Sequence, residues 1–297
     1  MPHPGWTDFN FEGIGTRWEV STPSPLSGAH RRRLLDAVEA YDAAWSRFRP
    51  DSLVAGAARA PGRYELPAEA AVLGPLYQTL YRLTGGAMTP LIGTSLERLG
   101  YGAGYPLRPQ GPPLPAPRWE DVLDWQGTVL TTAEPVGIDI GAAGKGQLAD
   151  LLSAGLRACG IGEHLIDASG DLLNAGVDPG LNPGPAPVEV ALEHPYDPGR
   201  AIGIIRLGAG ALCASAANRR AWGDGLHHVL DGTTGAPVRT VVASWALAAS
   251  AAVADALATA LFFVDGALLR REFDFSWLTV YSDGHAEYST DLEGALF

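Results

Sequence analysis

The stretch "GIDIGAAGKGQLAD", residues 137–150, decides how the chain is read. Apolar residues carrying Asp139 run into glycines interleaved with alanines and meet Lys145. "EPVGIDI" (134–140) predicts a strand, and "GQLADLLSAGLRACG" (146–160) a helix stopped by Gly160. Glycine-rich turns that open a helix and carry a lysine commonly cradle phosphate. Asp139, however, would repel an incoming anion. The P-loop pattern fails: Asp139 stands five residues before Gly144 where glycine is required, and Gly146 where Ser or Thr would meet magnesium. Gly144, Gly146 and Ala149 fit G-x-G-x-x-A, and Asp167 closes the next strand where a ribose-binding acid belongs. A Rossmann-type NAD(P) enzyme is therefore one alternative, and a plain strand-to-helix turn another.

The 297 residues suffice for one large or two modest domains, and 46% hydrophobic with 18% charged residues describes an ordinary globular protein. A net charge of -12 argues against nucleic-acid and anionic-membrane partners, which need a basic footprint. If the ligand is an anion, its counter-charge must be local: a lysine, a helix N-terminus or a metal. "MPHPGWTDFNFEGIGT" (1–16) has no basic flank, apolar core or small-residue cleavage site, and no run of 18 apolar residues occurs. A cytoplasmic chain with no membrane insertion is expected. The alanine-rich stretch 241–264 reads as a buried helix containing Asp255. Cys159 and Cys213 read as small core residues.

Along the chain, "GTRWEVSTP" (15–23) alternates like a strand, while 30–48 and 66–86 carry helical spacing. The Pro/Gly-rich 101–119 is an extended connection and the best internal boundary. Beyond it, "EHLIDA", "PVEVALEH" and "AIGIIRLG" read as strands, the last two flanking a "PYDPGR" turn. "SAAVADALATALFFV" (250–264) reads as a helix, and "WLTVYSDGHAEYST" as a hairpin over Asp283-Gly284. The mixture predicts an α+β, or mixed α/β, fold with helices covering sheet faces.

Three further groups carry chemistry. Asp255 and Thr259 share one helix face among Ala, Val, Leu and Phe, where a carboxylate costs about several kcal/mol unless paired or bound to a cation. A carboxylate, a hydroxyl and a carbonyl suit a hard cation such as magnesium; a solvated stripe is the alternative. In "HHVLDGTTGAP" (227–237) adjacent histidines point to opposite faces, and His228 is placed to accept a proton near neutral pH. The Ser169-Gly170-Asp171 turn offers amides to an oxyanion or is an ordinary hairpin turn.

Taken in order, these segments resemble the ApbE family of FAD:protein FMN transferases. The family's D-L-G-G-x-A-K-G-x-x-x-D appears as "DIGAAGKGQLAD", L-V-N-A-G-G-D as "LIDASGD", H-H-I-I-D-P-x-T-G-x-P as "HHVLDGTTGAP", and A-D-A-L-A-T-A-L intact at 254–261. "GIGTRWEV", "SRFRPDS" and "TGGAMTPLIG" match more loosely, so the likeness covers nearly the whole chain. It implies a single domain over 1–297, T-fold-like and two-lobed, with the lobe boundary in 101–119 and FAD in a cleft between the lobes. It implies transfer of FMN from FAD to a threonine of an acceptor flavoprotein, with release of AMP. It also implies magnesium held by Asp255, Thr259 and the Ala142 carbonyl, and His228 as the catalytic base. Asp139, Lys145, Gly146, Ser169, Gly170, Phe48, Ile14, Ala87, Met88, Thr89 and His228 would contact FAD, Lys145 and Gly146 at the pyrophosphate and Asp139 at a neutral part. Thr89, Met88, Ser169, Ala216, Ile14 and Gly232 depart from the family pattern, the last expected to be harmless. An FAD pyrophosphatase and a non-catalytic FAD binder are alternatives on the same scaffold.

Overall fold

In the computed structural model the described residues are 5–176 and 187–297. Residues 1–4, the start of the stretch read for a targeting signal, lie outside them. Strands β1 (Thr7–Gly13) and β2 (Thr16–Thr22) form an antiparallel hairpin. Helix α1 (Gly28–Trp45) starts at Ser27, whose hydroxyl accepts the His30 amide as an N-cap. Helix α2 (Leu53–Arg59), strand β3 (Gly62–Glu65), helix α3 (Ala70–Leu83) and the short α4 (Gly93–Arg98) follow. Helix α5 (Trp119–Val122) leads to β4 (Leu123–Gln126) and β5 (Val129–Thr132), which with β3 make a small antiparallel sheet.

The second half supplies α6 (Gly144–Ala158), β6 (His164–Asp167), β7 (Leu172–Ala175), β8 (Val188–His194), β9 (Asp197–Leu207) and β10 (Gly210–Ala216). Then come β11 (Ala221–Trp222), β12 (Leu226–His227), β13 (Val241–Ala248), α7 (Ala251–Ala260), α8 (Gly266–Leu269), β14 (Ser276–Tyr281) and β15 (Ala286–Tyr288). Eight strands make the main sheet in the order β1-β2-β6-β7-β10-β13-β14-β15, every neighbouring pair antiparallel. Helices α6 and α7 pack on it and on each other, and α1 packs against both α6 and β1. The largest apolar cluster takes residues from both sides of 101–119, among them Trp18, Tyr77, Leu148 and Leu257. The expected mixed α/β class is what the chain adopts.

The antiparallel order removes the Rossmann alternative. A dinucleotide fingerprint needs a parallel strand–helix–strand unit, whereas Gly144, Gly146 and Ala149 lie within α6, which no strand precedes directly. The strand expected at 134–140 is likewise absent. That segment is pinned singly, by Val136 N–H to the Ala57 carbonyl, Gly93 N–H to the Gly137 carbonyl, and Asp139 N–H to the Pro90 carbonyl. Helix ends and turns surround it, so no ladder forms. The expected helix over 241–264 divides into β13 and α7. Alanine prefers helix, yet β10 and β14 flank the first half and pair with both its edges, and tertiary pairing overrides the weaker local preference. The division falls at Ser250, whose side chain caps α7. From α6, the Asp150 carboxylate accepts Ser250 Oγ, Ala251 N–H and Ala252 N–H, so an anion holds the positive end of α7. The "PYDPGR" turn is tighter than expected, since β9 already begins at Asp197.

The Pro/Gly-rich segment carries no helix or strand from 101 to 118, but it is stitched down. Leu107 N–H reaches the Gly100 carbonyl, Ala116 N–H the Gly232 carbonyl, and Ser95 Oγ the Leu114 carbonyl.

Candidate functional site

The junction of α6 and α7 fixes the centre of the site. Gly146 N–H, which a regular helix would direct to the carbonyl of Ala142, instead donates to Asp255 Oδ2 at 3.0 Å. The Ala142 carbonyl accepts no hydrogen bond among the described residues and lines the same cavity as Asp255 and Thr259. Asp255 is buried, and burial with the nearby Asp171 carboxylate pushes its pKa up, against the pull of Lys145 and the Gly146 amide. A buried carboxyl crowded by a second carboxylate, beside a bare carbonyl and a hydroxyl, could serve as a hard-cation donor set. Among the described residues no group of three or more His, Cys, Asp or Glu could hold a metal, so a cation here depends on that mixed set. Thr259 Oγ1 shares a hydrogen bond with Ser215 Oγ at 3.2 Å.

Gly146 is thus placed differently from the expectation. It is not on the wall of the cavity; a Cβ built on it would stand 2.0 Å from the Ala251 carbonyl oxygen, so glycine is required for α6 and α7 to cross. Lys145 does reach the cavity, but its ammonium is paired with the buried Asp171, which also accepts the Ala214 amide at 3.1 Å. Burial opposes the lysine charge, and Asp171 and Asp255 outweigh it, holding the pKa above the ordinary lysine range. Asp139 is spoken for as well. Its Oδ2 accepts Arg47 Nε at 2.5 Å and its Oδ1 the Gly141 amide at 2.6 Å. Against the cost of burial these partners hold its carboxyl below the usual range. The aspartate that the loop alone left unexplained anchors a buried arginine.

The cavity lined by Ala142, Asp255 and Thr259 has a volume of about 340 Å³ and also receives Ala87, Met88, Thr89, Ser169, Gly170 and His228. Among the described residues His228 Nδ1 is buried without a hydrogen-bond partner. Burial, then the charge of Arg220, lowers its pKa to about 3, so the ring is neutral with a vacant polar nitrogen. Its neighbour His227 is structural, with Nε2 against the Val238 carbonyl at 2.8 Å. The Ser169-Gly170 turn is tight, with φ of 57° and 102°. A left-handed φ is costly for serine, and Ser169 ties itself down by donating to the Arg17 carbonyl at 2.8 Å. Gly170 N–H is taken by Asp167 Oδ1, so this amide is not free for an oxyanion. Gly232, expected to be harmless, matters locally: a Cβ there would meet Thr89 Cγ2 at 2.6 Å, so these two departures from the family pattern fit one another.

A second cavity of about 620 Å³ adjoins the first, and the two share Tyr101, Asp139, Gly141, Lys145 and Arg220. Its wall is aromatic. Phe48 stacks on Tyr105 at 5.3 Å between centroids, Tyr101 stacks on Trp222 at 5.3 Å, and the Arg47 guanidinium lies 4.2 Å from the Phe48 ring centre. Ile14, at φ 43°, lines it too. The residues singled out from sequence therefore converge on the joined cleft, Gly146 excepted. Arg47, Arg220, Tyr101 and Trp222 were missed, and Asp171 was marked only for its place in the Ser169-Gly170-Asp171 turn, not for its carboxylate. Of the missed residues only Arg47, beside Phe48, stood next to a residue already marked.

The family model described as "ApbE family" matches residues 14–271. The FAD:protein FMN transferase of Rhodobacter capsulatus is 32% identical over 150 residues, a match covering 49% of this chain but only 28% of that relative. Among solved structures, the ApbE protein of Thermotoga maritima superposes with a TM-score of 0.79 at 23% identity, covering 98% of this chain and 99% of the other. The flavin transferase ApbE of Vibrio cholerae gives 0.77 at 19% identity over 98% of this chain and 99% of that one. The flavinyl transferase ApbE of Pseudomonas stutzeri gives 0.75 at 20% identity over 98% of each chain.

Proposed function

The chain belongs to the ApbE family, and from that premise we propose that it transfers the FMN half of FAD to a threonine hydroxyl of an acceptor protein, releasing AMP. The observation that carries the reading is the meeting, in one cavity, of a neutral imidazole with a bare nitrogen and an under-neutralised oxygen donor set. The aromatic-walled second cavity opens from the same place.

In the proposed reaction the threonine oxygen attacks the FMN phosphorus, forming a new O–P bond as the P–O bond to AMP breaks. His228, neutral in the ligand-free protein, takes the threonine proton on its unpaired ring nitrogen. Asp255, the Thr259 hydroxyl and the Ala142 carbonyl would hold magnesium, which supplies neutralising charge to diphosphate oxygens. Phe48, already stacked with Tyr105 and covered by the Arg47 guanidinium, would form with Ile14 part of the apolar wall met by a ring system of FAD. Ala87, Met88 and Thr89 form the wall of the first cavity, Ser169 and Gly170 give close backbone approach, and Asp139 keeps lone pairs for a neutral part of the ligand.

The test is to incubate the protein with FAD, magnesium and a threonine-bearing peptide from an acceptor, then weigh the peptide. A gain equal to FMN supports the transferase. Free FMN with an unmodified peptide indicates hydrolysis instead, and unchanged FAD leaves a binding protein.

A further inference from the structure

The cationic side chains on the walls of the two cavities are Arg47, Arg49, Lys145, Arg219 and Arg220. All but one are committed. Arg47 holds Asp139 at 2.5 Å and the Tyr101 carbonyl at 2.7 Å. Arg49 is ringed by Glu39, Asp42 and Asp51, Arg219 reaches Glu193 at 2.9 Å, and Lys145 pairs with Asp171. Arg220 is half-buried and has neither hydrogen bond nor ion pair among the described residues. Its field is nevertheless felt by Asp139, Asp255, Tyr101 and His228, which places it among the groups argued to do the chemistry.

A guanidinium keeps its charge at any working pH and presents a planar fork of N–H donors. Leaving that fork unfilled in a half-buried position is costly, and Asp42, Asp139 and Glu193 on these walls already hold other arginines. Arg220 also lines both cavities, so it stands where they meet. FAD has a ring system at each end and an anionic diphosphate between them, and a ligand that occupies both cavities must pass its middle over this point. A paired phosphate fits the fork bidentately, which a lysine ammonium cannot reproduce.

We propose that Arg220 is the diphosphate-binding group of the cleft, and that Lys145 serves to hold Asp171 rather than the ligand. This rests on the FAD reading above. It gives Arg220 a role in the transfer as well. As the threonine oxygen bonds to the FMN phosphorus and its proton passes to His228, the bridging oxygen leaves with the bonding electron pair on AMP, and Arg220 faces the charge that collects there.

The test is equilibrium binding of FAD and of riboflavin, which lacks phosphate, to the full chain without acceptor, followed by flavin fluorescence. Arg220→Gln is expected to weaken FAD by at least tenfold, ~1.4 kcal/mol, while riboflavin stays within about twofold, the loss of one charge-assisted contact being selective for phosphate. Arg220→Lys is expected to recover part of the loss, because charge returns without the fork. Unchanged FAD affinity in Arg220→Gln, or equal losses for FAD and riboflavin in both variants, overturns the assignment. Wild-type protein that binds no FAD refutes the flavin reading and this inference with it. The assay contains no acceptor, so failure of the transferase reading alone leaves the assignment standing.

Discussion

Helix α6 contains two glycines whose replacement by alanine is expected to act in opposite directions. At Gly146 the added Cβ would lie 2.0 Å from the Ala251 carbonyl oxygen, 2.4 Å from its carbon and 2.8 Å from Asp255 Cβ. Real Cβ atoms essentially never come under 3.0 Å, so the helices must separate by about an ångström. Overpacking of this kind costs ~1–3 kcal/mol, and the upper part of the range applies because backbone rather than a flexible side-chain end is in the way. Alanine's better helix propensity returns roughly 0.5–1 kcal/mol. The net expectation for Gly146→Ala is a loss of about 2 kcal/mol. At Gly155, on the same helix, the added Cβ meets nothing within 4 Å, so only the propensity gain remains and Gly155→Ala should stabilise by roughly 0.5–1 kcal/mol. Urea unfolding of both variants beside wild type, read as midpoint shifts at constant slope, gives the comparison. If Gly146→Ala costs less than ~0.5 kcal/mol, or if both substitutions shift stability the same way, the close crossing of α6 and α7 is wrong.

Other consequences are as direct. Asp171→Asn leaves the partly buried Lys145 without its ion-pair partner and should cost ~1–3 kcal/mol, read by the same unfolding assay; a loss below ~0.5 kcal/mol would contradict the pairing. The pKa of His228 falls to about 3 in the folded chain, below the ~6.5 of an unfolded histidine. The unfolded state therefore binds the proton first, and the contribution of His228 to stability is intact above about pH 6.5 and is lost as pH falls towards 3. In an NMR titration of the ligand-free protein, its ring signals should not move between about pH 6 and 8, and a midpoint near 6.5 would show the ring to be solvated. Asp255→Ala should abolish magnesium-dependent FMN transfer, measured by peptide mass, and full activity in that variant refutes the donor set.

Much of this site was legible because its residues sit in short contiguous segments whose chemistry is local. The Asp255/Thr259 spacing puts both on one helix face whatever surrounds them, and the paired histidines must face opposite ways on any extended chain. Partnerships across the fold were not legible. Nothing near Asp139 in sequence announces Arg47, ninety-two positions away, or tells that Gly146 is a crossing point for a helix more than a hundred residues on. The strand expected at 134–140 failed for a related reason: its apolar residues Val136, Ile138 and Ile140 are buried, but ladder formation depends on a neighbouring edge that only the tertiary fold can supply. The same holds in reverse at 241–248, where alanine-rich sequence becomes a central strand because edges lie on both sides. Arg220 shows the limit most plainly, since what marks it is the absence of a partner among the described residues.

The central claim is that this cleft moves FMN from the phosphoanhydride bond of FAD to a phosphoester on threonine. The most direct measurement is the ratio of AMP released to FMN bound covalently to an acceptor peptide, followed together over a single time course with FAD and magnesium. The account predicts equal amounts of the two at every time point, with neither formed by Asp255→Ala. AMP accumulating with free FMN and an unmodified peptide would contradict it.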